Sequence, residues 1–261
     1  MPQGPISLQY TGTLPPSLNV PFFTIEGSRY WPQTPGNVTP SPVIGSIVLG
    51  AIAVTDSTAT LTSLTWGIGG ATSTVNFSSA SGITSLSLPM FQLSGGALTI
   101  QLAGLTSLLM PNFLFALSTA AFNSMASLTS ISLPSLEFFG GTVTVSGCSS
   151  LTTVSFPGVV NIIGNITMNS GNGALQNVIL GTPGITKAMS ASINISSQAL
   201  TAASVNRILA LLVSLDGTNG TTLWGSGRIL NVSGGTSSAP TGQGVTDKAT
   251  LQARGTTITT N

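Results

Sequence analysis

Residues 128–134 read Leu-Thr-Ser-Ile-Ser-Leu-Pro, and the rest of the chain is organised around copies of this stretch. Stripped to its apolar skeleton it is Leu-x-x-Leu-x-Leu. The frame recurs at 61/64/66, 83/86/88, 105/108/110, 128/131/133, 151/154/156 and 175/178/180, in steps of 22, 22, 23, 23 and 24 residues. Proline closes four copies, at Pro89, Pro111, Pro134 and Pro157. Self-similarity at this period marks a solenoid, because a single coil cannot bury its apolar edge without a neighbour on top of it.

Each coil divides further. After the frame the chain turns, then enters a second alternating segment, at Val75/Phe77, Leu98/Ile100, Ala120/Phe122, Val143/Val145, Ile166/Met168 and Ile193/Ile195. Alternation sends one set of side chains inward and the other to the surface. Gly95-Gly96 and Gly140-Gly141 stand just before two of these segments, where a tight corner favours φ values open to glycine. The expectation is two short strands per coil and, on stacking, two parallel sheets in which each backbone donor and acceptor pairs with the next coil. The fold class is mainly β, a parallel β-solenoid with coils of about 22–24 residues.

The pattern Leu-x-x-Leu-x-Leu-Pro followed by Gly-Gly-x-Val-x-Val-x-Gly-Cys, at residues 128–148, resembles the leucine-rich-repeat-like surface proteins of bacteria and their phages. It is also similar to the L domains of receptor ectodomains. The resemblance covers residues 57–199 and implies a right-handed parallel β-solenoid, a leucine-rich-repeat-like coil with Gly147-Cys148 at the position whose side chain lines the turn. It departs from the pattern at 104–127, where no Gly-Gly pair occurs and Phe113, Phe115 and Phe122 add bulk.

Three regions follow. Residues 1–45 hold nine of the fifteen prolines and the aromatics Tyr10, Phe22, Phe23, Tyr30 and Trp31. Proline density of this kind predicts an extended arm. Phe22, Phe23, Tyr30 and Trp31 are its candidate anchors, on a neighbour or on the first coil. Residues 46–199 form the solenoid. Residues 200–261 form a cap: apolar residues at 205, 208, 209, 212 and 215 predict a helix over 202–215 with Thr201 as N-cap. A strand at 228–232, a short helix near 246–254 and a closing strand at 256–260 complete it. The ending from Leu230 to Asn261 resembles a recurrent C-terminal ending of phage and environmental bacterial repeat proteins. A helix across the last coil would cover its open apolar end.

Composition narrows the function. Only 11 of 261 residues are charged, and between 57 and 186 the one charged side chain is Glu137. A net charge of +1 leaves no basic cluster for nucleic acid or anionic lipid. Mean hydropathy is +0.47, yet the run Val43–Val54 is shorter than the roughly 20 residues a membrane helix needs. A weakly charged surface loses the repulsion that keeps copies apart. Arg29 is the first basic residue and prolines interrupt the first stretch, so no secretory leader is expected. That suits a virion component assembled in the host cytoplasm. The alternative is a bacterial cell-surface adhesion protein.

Chemistry is sparse. Histidine is absent, removing the commonest general base and metal ligand. Glu26, Asp56, Glu137, Asp216 and Asp247 fall in different coils, too dispersed for a carboxylate pair. Cys148 is the single cysteine and is read as an inward-facing small hydrophobe. No catalytic, cofactor-binding or metal-binding residue is assigned. Glu137 is read as a solvent-facing corner residue, and the six Asn-x-Ser/Thr sequons carry little weight. The candidate contact face is the outward set of the first strand: Ser63, Thr65, Ser85, Ser87, Ser107, Ser130, Ser132, Thr153 and Ser155, interrupted by Leu109. Its three functional readings are docking of a neighbouring protein, contact with a glycan and an ice-ordering array. The expected partners are copies of the chain and other virion proteins, with a host-surface glycan as a further one.

Overall fold

The computed structural model describes residues 63–66, 69–79, 82–190 and 192–261, together with the strands Ile6–Gln9, Leu18–Val20, Ile47–Val48 and Ile52–Thr55. The architecture is a parallel β-solenoid closed by two helices. Each frame becomes a strand: Ser63–Trp66, Ser85–Ser87, Ser107–Leu109, Ser130–Ser132, Thr153–Ser155 and Asn177–Ile179. These form the leucine sheet, which is split between Ser85–Ser87 and Ser107–Leu109. The second alternating segments become the long sheet. It contains Val75–Ser79, Leu98–Ile100, Ala120–Asn123, Val143–Ser146, Ile166–Ser170 and Ile193–Asn194, each paired in parallel with the next.

There is also a third sheet. Two-residue strands at Gly70–Ala71, Leu93–Ser94, Phe115–Ala116, Phe138–Phe139, Asn161–Ile162 and Ala188–Met189 stack along the remaining side. The coil is thus three-sided where alternation predicts two sheets. A two-residue strand is too short to register as a period, which explains the difference.

The three corners are built differently. After the leucine strand, the proline residues open a turn closed by Phe91 N–H to Leu88 O (3.3 Å), Phe113 to Met110 (3.4 Å), Leu136 to Leu133 (3.3 Å) and Val159 to Phe156 (3.4 Å). Proline at the second turn position pre-sets φ there, and the fourth residue of each turn is buried. Phe91 and Phe113 stack with centroids 5.3 Å apart. At the Gly-Gly corner, left-handed backbone is not the reason for glycine, since none of Gly95, Gly96, Gly140 and Gly141 has a positive φ. A Cβ on Gly95 would strike the carbonyl of Thr72, and one on Gly140 the carbonyl of Leu117. Glycine stands there because consecutive coils touch backbone to backbone. Left-handed residues instead line the third corner: Ser124, Gly147, Gly171, Ser197 and Gly234, with φ of 56°, 66°, 67°, 61° and 80°.

The frame residues supply the core. Ile83, Leu86, Leu88, Leu105, Leu108, Met110, Leu128, Ile131, Leu133, Leu151, Val154, Phe156, Leu175, Val178 and Leu180 are all buried. From the long sheet come Phe77, Ile100, Phe122, Val145 and Met168. Cys148 is fully buried, as expected, and burial raises its thiol pKa above the usual value. The 24-residue step is absorbed where Thr144 faces Thr167 but Ser146 faces Ser170, a one-residue bulge. In that lengthened coil Asn172 takes the place of Cys148. Its amide donates to Val145 O (2.6 Å) and accepts from Cys148 N–H (2.9 Å), so this buried polar group is satisfied.

Part of the first coil lies inside the segment read as an arm. Ile6–Gln9 pairs with Ile52–Thr55, and Leu18–Val20 with Ser63–Trp66. Phe22, Phe23, Tyr30 and Trp31 lie outside the described residues.

The cap closes each sheet in its own way. Helix α1, Ala202–Ser214, takes the place of a further leucine strand, with Thr201 accepting from Ser204 N–H as N-cap. Ser204 Oγ in turn accepts from Val178 N–H (2.9 Å), and Val205, Ile208, Leu209, Leu212 and Leu215 are buried. Helix α2, Gln243–Ala253, begins three residues earlier than the spacing predicts, at a Gly242 cap with no side-chain hydrogen bond. It packs on α1, where Gly244 lies against Asn206. The long sheet alone continues, through Ile229–Asn231 and Thr257–Thr259. Among the described residues no helix is long and apolar enough to cross a membrane.

Candidate functional site

A solenoid offers its lateral faces, and the three sheets present three different surfaces. On the leucine sheet the sequence-derived hydroxyls do gather. Ser63 pairs with Ser85 and Thr65 with Ser87. Ser107, Ser130, Thr153 and Asn177 make one column, and Leu109, Ser132, Ser155 and Ile179 another. They alternate with buried Leu64, Leu86, Leu108, Ile131 and Val154, so the outward reading of Ser63, Ser85, Ser87, Ser107, Ser130, Ser132, Thr153 and Ser155 agrees with the burial pattern. Thr65 lies in its strand, but its side chain is outside the described residues.

The array is less regular than the repeat suggests. The sheet is interrupted after Ser85–Ser87, and Leu109, 54% exposed, breaks the second column. A neighbouring threonine column, Thr106, Thr129 and Thr152, is engaged with the chain itself. Thr129 Oγ1 donates to Thr106 O (2.9 Å) and Thr152 Oγ1 to Thr129 O (3.1 Å). Those hydroxyl protons tie one coil to the next.

The long sheet turns Asn76, Thr99, Ala121, Thr144, Thr167, Asn194, Asn231 and Thr259 outward, aligned by register. Two of its sequons have structural uses. Asn194 Oδ1 accepts from Ser196 N–H (3.2 Å), and Asn231 Oδ1 from Ser233 N–H (3.1 Å) and Oγ (2.8 Å). The Asn-x-Ser motif here is an Asx turn that leads into the left-handed corner.

The third sheet carries the feature that periodicity missed. Leu93, Phe115 and Phe138 are consecutive register partners on its outer side; Phe115 is 37% exposed, and Leu93 and Phe138 are half-buried. Beside them Leu117 and Ile163 are 49% and 55% exposed, on either side of Gly140. The Phe138 ring lies close to Gly140, 3.1 Å from where its Cβ would be. These five side chains form an apolar stripe running across the coils. The available signal was the 23-residue interval between Phe115 and Phe138, one coil apart, in segments too short to show alternation. Glu137 precedes Phe138 of the stripe, and its side chain is exposed, as expected of a corner residue. Its backbone belongs to the ladder, donating to Leu114 O (2.9 Å) and accepting from Val160 N–H (2.8 Å).

Among the described residues no three His, Cys, Asp or Glu side chains come together. Asp216 is held below the ordinary carboxylate range by the Thr218 hydroxyl (2.7 Å) and the Thr218 N–H (2.9 Å), with the Thr221 hydroxyl (3.3 Å) adding to them. It is an exposed loop carboxylate whose donors all come from its own loop. Asp247 is buried and accepts from Gln243 Nε2 (2.9 Å) within α2. Comparison with protein-family models, curated proteins and solved structures finds no match.

Proposed function

We propose that this chain is a non-enzymatic structural protein of a bacteriophage virion, a fibre, decoration or adhesin subunit. In this reading the rigid solenoid packs laterally against copies of itself or other virion proteins. The observation that carries the proposal is the stripe of Leu93, Phe115, Leu117, Phe138 and Ile163 on a nearly uncharged body. Contiguous exposed apolar side chains mark contact surfaces, and a body with almost no charge has little to hold a second copy away. The phage context comes from the resemblance of the repeat and of the C-terminal ending. The hydroxyl columns of the leucine sheet form a second, polar face for a neighbouring protein or a host glycan.

The test is light scattering of the full chain over a range of concentrations, beside the double variant Phe115→Ser, Phe138→Ser. The wild type is expected to assemble, and the variant to stay monomeric with an unchanged circular dichroism spectrum. A wild type that is monomeric throughout, or a variant that assembles equally well, rejects the lateral contact. Immunodetection in purified particles against host envelope fractions separates the virion reading from a bacterial cell-surface adhesin.

A further inference from the structure

The chain contains two Asn-Gly dipeptides, Asn172-Gly173 and Asn219-Gly220, and the fold treats them in opposite ways. Asn172 has no exposed surface. Its side-chain nitrogen donates to Val145 O and its oxygen accepts from Cys148 N–H, so the amide is fixed within the third corner. Asn219 lies on the exposed loop after α1, at φ 49°. Its one side-chain bond is a long one, Nδ2 to Thr218 Oγ1 at 3.3 Å. Gly220 beside it has open space on its Cβ side, with nothing within 4 Å.

We propose that Asn219 is a site of spontaneous deamidation, and that the folded structure protects Asn172 from the same reaction. The Gly220 backbone nitrogen loses its proton and attacks Cγ of Asn219, forming a new C–N bond. The Cγ–Nδ2 bond breaks and ammonia leaves with the proton, giving a five-membered succinimide. Water then opens either carbonyl, leaving aspartate or isoaspartate. Asparagine and water go in, carboxylate and ammonia come out, and no other reactant is needed. Glycine at the following position leaves its nitrogen unshielded by a side chain, and exposure lets the asparagine swing onto it. Asn172 can react only in the small fraction of molecules whose corner has opened.

The product alters a quantity this chain holds close to zero. One new carboxylate takes the formal net charge from +1 to 0, removing the residual repulsion between copies. Deamidation would thus act as a slow, irreversible increase in the tendency to associate. This inference stands apart from the assembly reading, because the chemistry at Asn219 is read without reference to any partner.

The test is peptide mapping by mass spectrometry after days at mildly alkaline pH, on the full folded chain and on the chain in denaturant. In the folded protein the Asn219 peptide is expected to gain about 1 Da and split into aspartate and isoaspartate forms. The Asn172 peptide should react about a hundredfold more slowly or less. In denaturant the two should approach the same rate, and Asn219→Gln should abolish the early acidic form on isoelectric focusing. Equal rates at both sites in the folded chain would overturn the proposal. So would an unmodified Asn219 under conditions where the denatured chain reacts.

Discussion

The body of the solenoid and its cap solve the same problem by opposite means. From residue 63 to 199 the charged side chains are Glu137 and Lys187, whereas the 62 residues of the cap hold Arg207, Asp216, Arg228, Asp247, Lys248 and Arg254. In the body, each coil stacks on the next, and parallel ladders satisfy most backbone donors and acceptors, the break in the leucine sheet after Ser85–Ser87 aside. Side chains there have only to fill the interior and stay small at the corners. The cap has fewer strands to pair with, and long cations supply donors to its carbonyls. Arg228 Nη1 donates to Met189 O (3.0 Å), at the end of the third sheet. Arg254 donates to Val213 O (2.9 Å), Leu215 O (3.2 Å) and Leu212 O (3.4 Å) at the end of α1, where Leu212 O also accepts from Leu215 N–H and Leu215 O from Trp224 N–H. Beside the last strand of the long sheet, Lys248 Nζ donates to Thr260 Oγ1 (2.8 Å). A short edge strand with a lysine next to it is a protected edge.

The sharpest way to break this contrast is within the body. Phe122 is fully buried and stands in register between Ile100 and Val145. Phe122→Ala removes a ring that neighbouring coils share, and a loss of about 3–5 kcal/mol is expected. The check is denaturant unfolding. A loss below about 1 kcal/mol would mean that the coils collapse around the gap and the interior is not close-packed.

The cap is expected to fail differently. Arg254→Met keeps much of the apolar stem and deletes the three carbonyl contacts, costing about 1.5–3 kcal/mol as charge-assisted hydrogen bonds are lost. Hydrogen exchange should show the increase at the C-terminal turn of α1 and little change at Val143–Ser146. A uniform increase across the body would show that cap and solenoid unfold as one unit, erasing the distinction.

The smallest effect is the dependence on pH at Asp216. Its carboxyl is held low in the folded chain, so its contribution is present above the unfolded value and is lost as pH falls through the folded one. Asp216→Asn should flatten the acid limb of stability slightly, because the group is on the surface and screened by water. A melting-temperature profile between pH 2 and about 6 reads it against the wild type. A steeper acid limb in the variant would contradict the hydrogen-bonding account.

Much of the architecture is legible in the residues because the solenoid writes its own period. Ile131 and Leu133 inward with Ser130 and Ser132 outward is a statement about one strand, readable without a neighbour. The same is true of Thr201 capping α1. The candidate site is less legible. The outward hydroxyls follow from alternation, but the split in the leucine sheet and the exposed Leu109 do not. The pairing of Phe115 with Phe138 depends on a coil step, and each strand that places them is only two residues long.

By itself the sequence determined the coil length, the inward and outward faces of two sheets, the helix that ends the leucine sheet and the near absence of charge. Only the tertiary structure decided that the coil has three sides and that Gly95 and Gly140 are required by the backbone of the coil beneath. It also decided that Asn172, Asn194 and Asn231 are structural, and that Leu93, Phe115 and Phe138 stand together on the outside. The physical reason is one of range. Alternation and capping are set between residues a few positions apart, whereas these other features are contacts between coils some 22–24 residues apart, which exist only once the coils are stacked.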